Sequence, residues 1–125
     1  MAAGTIPVYE KPWILLWTNP SPSQNFVEQT VALDLSAYTE VRVDYFRETS
    51  NTGMHVYTDI VDIVNFNMSQ PITIYDLNGH LVRRLMSVET TPTAGLHFSV
   101  GWKYASYGTS TEDASLLIPA KIYAR

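Results

Sequence analysis

The chain has 125 residues, a net charge of −4 and no cysteine, so disulfides, thiolate metal sites and cysteine nucleophiles are excluded. One hydrophobic core fits this length, and 46% hydrophobic against 16% charged residues argues against disorder. The basic residues are scattered, only Arg83 and Arg84 being adjacent, which argues against nucleic acid as a partner.

The first dozen residues show no clean pattern and are bracketed by Pro7 and Pro12. They are read as an N-terminal arm (1–12) ahead of one domain (13–125). No basic or long apolar stretch marks a signal peptide at this end. The longest apolar run, Trp13 to Trp17, falls far short of the roughly 20 residues of a membrane helix, so no membrane insertion is expected.

Alternation with a period of two predicts eight strands. In chain order they are 13–17, 27–35, 40–47, 55–64, 71–76, 81–88, 96–104 and 115–123. The clearest is 96–104, where Leu96, Phe98, Val100, Trp102 and Tyr104 fall on one face. Val41, Val43 and Tyr45 point inward from the third strand, Arg42 and Asp44 outward. Asn78-Gly79 favours a tight turn that makes a hairpin of the fifth and sixth strands. Pro119 in the last run predicts an edge strand, since proline cannot donate to a ladder. Ser36 to Tyr38 is short enough for only one helical turn. The fold class is therefore all-β, an antiparallel two-sheet β-sandwich of about eight strands, with a jelly roll as one such arrangement.

No catalytic motif occurs: there is no nucleophile elbow, phosphate-binding glycine loop or H-E-x-x-H. His55, His80 and His97 read as surface histidines. Asp59 and Asp62 are three apart on a strand and so point to opposite faces. Glu112-Asp113 lies in a loop and supplies too few oxygens for calcium. The expectation is a non-enzyme with no cofactor and no metal. Trp13, Trp17, Tyr45, Phe98, Trp102 and Tyr104 fit inward positions and are expected in the core. Tyr57, Tyr75 and Tyr107, at strand ends or in loops, are the candidate surface-binding residues.

Residues 13–35 read W-I-L-L-W-T-N-P-S-P-S-Q-N-F-V-E-Q-T-V-A-L-D-L, followed by Ser36-Ala37-Tyr38, and the chain closes on Leu117-Ile118-Pro119-Ala120-Lys121-Ile122-Tyr123. In this the chain resembles a domain at the C-terminal end of tail-fibre and minor structural proteins of phages infecting Gram-positive and gut bacteria. The match rests on Trp17-Thr18-Asn19-Pro20, Phe26, Gln29-Thr30-Val31, Leu33 and Leu35-Ser36-Ala37-Tyr38. Ala124 departs from the family's glycine, and residues 50–80 match nothing in it. The resemblance implies a virion component on tail or head, assembled with itself, most simply as a homotrimer, and with other virion proteins. It implies a face turned toward a cell-surface glycan or protein receptor. A carbohydrate-binding module of β-sandwich type is the competing expectation. Without reference to any family, the Asn19-Pro20-Ser21-Pro22-Ser23 loop is rigid, and Phe26 is placed to plug the core end beneath it.

Overall fold

The computed structural model describes residues 11–50, 56–63, 70–75, 81–104 and 110–125. Among them are ten β-strands and no helix. They are β1 (Ile14–Thr18), β2 (Gln29–Ala32), β3 (Glu40–Glu48), β4 (Val56–Asp62), β5 (Gln70–Tyr75), β6 (Leu81–Glu89), β7 (Gly95–Phe98), β8 (Trp102–Tyr104), β9 (Ser110–Glu112) and β10 (Leu116–Ala124). A four-stranded sheet runs β1-β10-β3-β4. A six-stranded sheet runs β2-β7-β6-β8-β9, with β5 on the other side of β6. Every pairing is antiparallel. This is the two-sheet sandwich that the alternation predicts.

The alternation fails between Phe98 and Trp102, and the failure matters. The run 96–104 is split into β7 and β8, both of which pair with β6. Between them Ser99 takes over the backbone's role: its amide donates to the Leu85 carbonyl at 2.9 Å and its Oγ accepts from the Leu85 amide at 2.9 Å. Pairing moves from Met86↔Phe98 to Arg83↔Trp102, a slip of one residue. A slip of one sends every later side chain to the opposite face. Phe98 therefore stays in the core, while Trp102 and Tyr104 share the outer face with Arg83. β9 is the second departure, a short exposed strand added to β8 where the sequence reads as loop.

Pro119 is also reassigned. β10 is an inner strand between β1 and β3, not an edge. Proline is tolerated there because the β1 ladder ends at Thr18↔Lys121 and a bulge at Ala120 follows Pro119↔Tyr45. On the side that β1 leaves, Asn19 takes over: its amide donates to the Ala120 carbonyl (2.8 Å) and its Nδ2 to the Pro119 carbonyl (2.9 Å). Its Oδ1 accepts from the Ser21 amide at 2.8 Å, which closes the turn into the proline-rich loop. Asn19→Ala is expected to leave the buried Pro119 carbonyl without a donor and to cost roughly 1–3 kcal/mol, read as a lower urea midpoint at unchanged slope.

The core comprises Val41, Val43, Tyr45, Ile118 and Ile122 from the first sheet and Val31, Val82, Met86, Leu96 and Phe98 from the second. A relay of edge-to-face rings crosses it: Trp17 to Phe26 (6.3 Å), Phe26 to Phe98 (5.6 Å), Phe98 to Tyr45 (6.3 Å). Phe26 is 5% exposed and does plug this end of the sandwich. Trp17, Tyr45 and Phe98 pack as the sequence predicts. Trp13 does not: it lies before β1, half-buried, with the Arg125 guanidinium 4.0 Å above its ring.

Leu117 is fully buried yet adopts φ of 48°. The left-handed conformation costs about 1–2 kcal/mol for a residue with a Cβ, whereas removing a buried leucine side chain costs about 2–5 kcal/mol. Burial wins, so Leu117→Gly is expected to destabilise despite relieving the backbone, measurable by thermal unfolding.

Candidate functional site

The tyrosines nominated from sequence do not form a described site. Tyr57 lies on β4 of the first sheet, in register with Tyr45, and Tyr75 on β5 of the second, in register with Leu81. Their side chains, and the whole of Tyr107, lie outside the described residues. So do His55, His80 and Asn78-Gly79.

The register slip creates a different surface. Trp102 and Tyr104 stand on the outer face of the second sheet, half-buried, in register with Arg83 and Leu81. Arg83 lies over the Tyr104 ring, its carbon 5.1 Å from the centroid, and a guanidinium nitrogen donates to the Tyr104 hydroxyl. Glu112 sits opposite Trp102 on the neighbouring strand and is exposed. An indole, a phenol, a guanidinium and a carboxylate thus share one face. That set offers a flat apolar surface rimmed by donors and an acceptor. Sequence alternation alone hides it, because an unbroken strand would turn both aromatic rings inward.

Nearer β2 on the same sheet, His97 lies between two glutamates. Its Nε2 is 2.9 Å from Glu28 and its Nδ1 3.5 Å from Glu89, while Thr30 Oγ1 sits 2.9 Å from Nδ1. The histidine is outward, as expected, but tied in. Its contacts are split between its two ring nitrogens, so they do not converge on one point. Among the described residues no group of three or more His, Asp or Glu is arranged to hold a metal ion. Asp113 serves its own turn, accepting from the Ser115 amide at 2.9 Å. Asp34 does likewise with Ser36, and the Ser36 hydroxyl, then its amide, hold the Asp34 carboxyl below the usual carboxylate range.

The interior contains a feature that sequence reading missed. Arg84 is fully buried between the sheets. Its Nε donates to Leu117 O (2.7 Å), one terminal nitrogen to Phe26 O (3.0 Å) and Ser99 O (2.5 Å), and the other to Leu116 O (2.7 Å). Its carbon lies 5.4 Å from the Phe26 ring centroid. Burial pushes its pKa down to about 10, with the charge of Asp113 among the influences opposing the drop, so it is still a cation at neutral pH. The signal was present in β6: Val82, Arg84 and Met86 alternate on the inward face, so an arginine there had to find partners inside. A fifth, longer contact runs from the second terminal nitrogen to Ala114 O (3.5 Å), so backbone carbonyls meet every N–H of the group, and it ties the connections at Phe26, Ser99 and Ala114 to the start of β10.

Of the residues behind the phage resemblance, the first and last pieces meet in space, while Gln29, Thr30 and Val31 lie in β2 of the other sheet, paired with β7. β1 pairs with β10, Asn19 holds Pro119 and Ala120, and Phe26 donates its amide to Ala114 (2.9 Å) and accepts from Arg84. No family model matches the chain, and neither does any curated protein or solved structure.

Proposed function

We propose that this chain is a non-enzymatic structural module of a bacteriophage virion that assembles with itself and turns the outer face of its six-stranded sheet toward the host. The observation that carries this reading is the patch of Trp102, Tyr104 and Arg83 beside Glu112, placed outward by a one-residue slip. Two aromatic rings on a sheet face with a guanidinium and a carboxylate suit recognition of a glycan or a protein surface better than chemistry on a small substrate. Support for the virion context is the resemblance itself, two of whose pieces, Trp17 to Asn19 and the closing strand, are neighbours in the fold.

Mass spectrometry of gradient-purified particles from a culture carrying the gene tests the context. Peptides of the chain in fixed ratio to capsid or tail proteins are expected, and their absence from particles rejects it. Binding of the labelled chain to host cell-wall preparations tests the face. Trp102→Ala is expected to weaken binding at least about tenfold, the scale of one buried aromatic contact, while leaving the unfolding curve near wild type. Glycan binding by a chain absent from particles would favour a carbohydrate-binding module instead.

A further inference from the structure

We propose that one end of the sandwich, between the two sheets, is a docking pocket for a partner protein's apolar side chain carried beside a lysine or arginine. The pocket opens at the far end of β6 from Arg83, so it is a different surface from the patch turned toward the host.

Three connections build its walls, and backbone bonds fix them. The chain from Leu33 to Ser36 leaves β2, and the Leu33 amide donates to the Ala94 carbonyl at 3.0 Å. The end of β6 and the start of β7 face it. Ile63 closes the side toward the first sheet, its amide donating to the Thr39 carbonyl at 2.8 Å. The Tyr38 amide donates to the Leu35 carbonyl (3.1 Å), which turns the chain across to β3. Walls already held in this way lose little freedom when an occupant enters.

Size selects the occupant. The cavity measures about 200 Å³. That is below the roughly 300–1,000 Å³ of pockets that take a whole small molecule and above the roughly 150 Å³ of a cavity that takes benzene. One leucine, isoleucine or phenylalanine side chain fits. Leu33, Leu35, Ile63 and Val88 supply the apolar lining, and all four belong to the core cluster or pack against it. A shallower groove past Pro92 and Thr93 shares Leu33, Asp34 and Ala94 with the pocket, and it gives the backbone of the entering segment a path.

Charge selects the neighbour of that side chain. Asp34 and Glu89, both reached by solvent, line the pocket too. The Asp34 carboxylate accepts from Ser36, and Glu89 meets Thr30 at 3.3 Å and His97 at 3.5 Å. Among the described residues neither carboxylate meets a lysine or arginine, and no basic residue lines the pocket. A side chain entering here brings its flanking residue to two carboxylates, which attract a cation and repel an anion.

The test titrates the capped peptide Gly-Ser-Gly-Leu-Lys-Gly-Ser into the isotope-labelled full chain and follows amide signals. Those of Leu33 to Ser36, Ile63 and Val88 to Thr90 are expected to shift. Replacing the peptide's leucine with alanine should weaken binding at least about tenfold. Replacing its lysine with glutamate should weaken it about two- to fivefold, the range of an exposed ion pair. Asp34→Lys should reverse that second preference; a melting curve checks that the variant is folded, and the wild-type peptide series stands without it. Pocket signals that stay still with every peptide overturn the proposal, and so does equal binding of the lysine and glutamate peptides. Shifts at Arg83 and Trp102 instead overturn it and leave the host-facing reading in place. Pocket signals that move with protein concentration alone make a second copy the occupant and also overturn it.

Discussion

Arg84→Met is expected to remove a large share of the stability of this domain. Two effects compete. Burying a guanidinium is costly, and replacing a buried ion with an apolar side chain of similar volume can be neutral or stabilising when its partners are replaced as well. Here the partners are backbone carbonyls, which no substitution removes. Phe26, Ser99, Leu116 and Leu117 would each keep an inward carbonyl with no donor. A buried unsatisfied acceptor costs about 1–3 kcal/mol, so four together exceed the relief from losing the charge. The expected net loss is about 4 kcal/mol, against a total of about 5–15 kcal/mol for a typical domain. Arg84→Lys keeps the charge, but a point-like ammonium with three donors cannot span carbonyls arranged for a planar fork; it should fall between wild type and Arg84→Met. Urea unfolding of the three proteins checks the order. A methionine variant as stable as wild type would show that the carbonyl cage contributes nothing.

Gly95→Ala is expected to separate β2 from β7. Gly95 has φ of 152°, and a Cβ built there would stand 1.9 Å from the Val31 carbonyl oxygen and 2.9 Å from the Leu33 amide nitrogen. Both obstacles are backbone, so no rotamer change relieves them. The register puts Gly95 opposite Ala32 and Glu89 at the head of the strand, where displacement opens the ladder at its end. With strain of about 1–3 kcal/mol for the backbone conformation and a further clash to relieve, the loss should reach about 4 kcal/mol. Hydrogen exchange distinguishes the mechanism. Amides of residues 29–32 should lose protection first, while those of β3 and β10 keep theirs up to global unfolding.

Much of the fold was legible because the strands are amphipathic and the turns use strong breakers. Val41, Val43 and Tyr45 alternate with Arg42 and Asp44, and β3 forms at Glu40–Glu48 with the first three in the core, although Asp44 is itself buried, its carboxylate covered by Arg42 and Thr58. Two of the errors share a cause: a side chain standing in for the backbone. Ser99 breaks the period of two, so two aromatic residues read as core belong outside. Asn19 supplies the pairing that makes an inner proline tolerable. Arg84 was read only as one of the scattered basic residues, because alternation says where a residue points but not what it meets there. The outward patch was invisible for the same reason, since it exists only after the slip. Such substitutions depend on contacts between residues far apart in the chain, and no local pattern reports them.

The position of β10 has a consequence for biosynthesis. It is the tenth strand made, yet it lies between β1 and β3, and Asn19 must wait for Pro119, 100 residues downstream. While the ribosome is still working, β3 and β4 can form a hairpin, but β1 has no neighbour in its sheet. Long-range pairing of this kind slows folding, because loop closure precedes any reward. The nascent chain should therefore hold Ile14 to Trp17 in the open until synthesis passes Ala124, a stretch of time in which a chaperone or a neighbouring ribosome's product can reach them first.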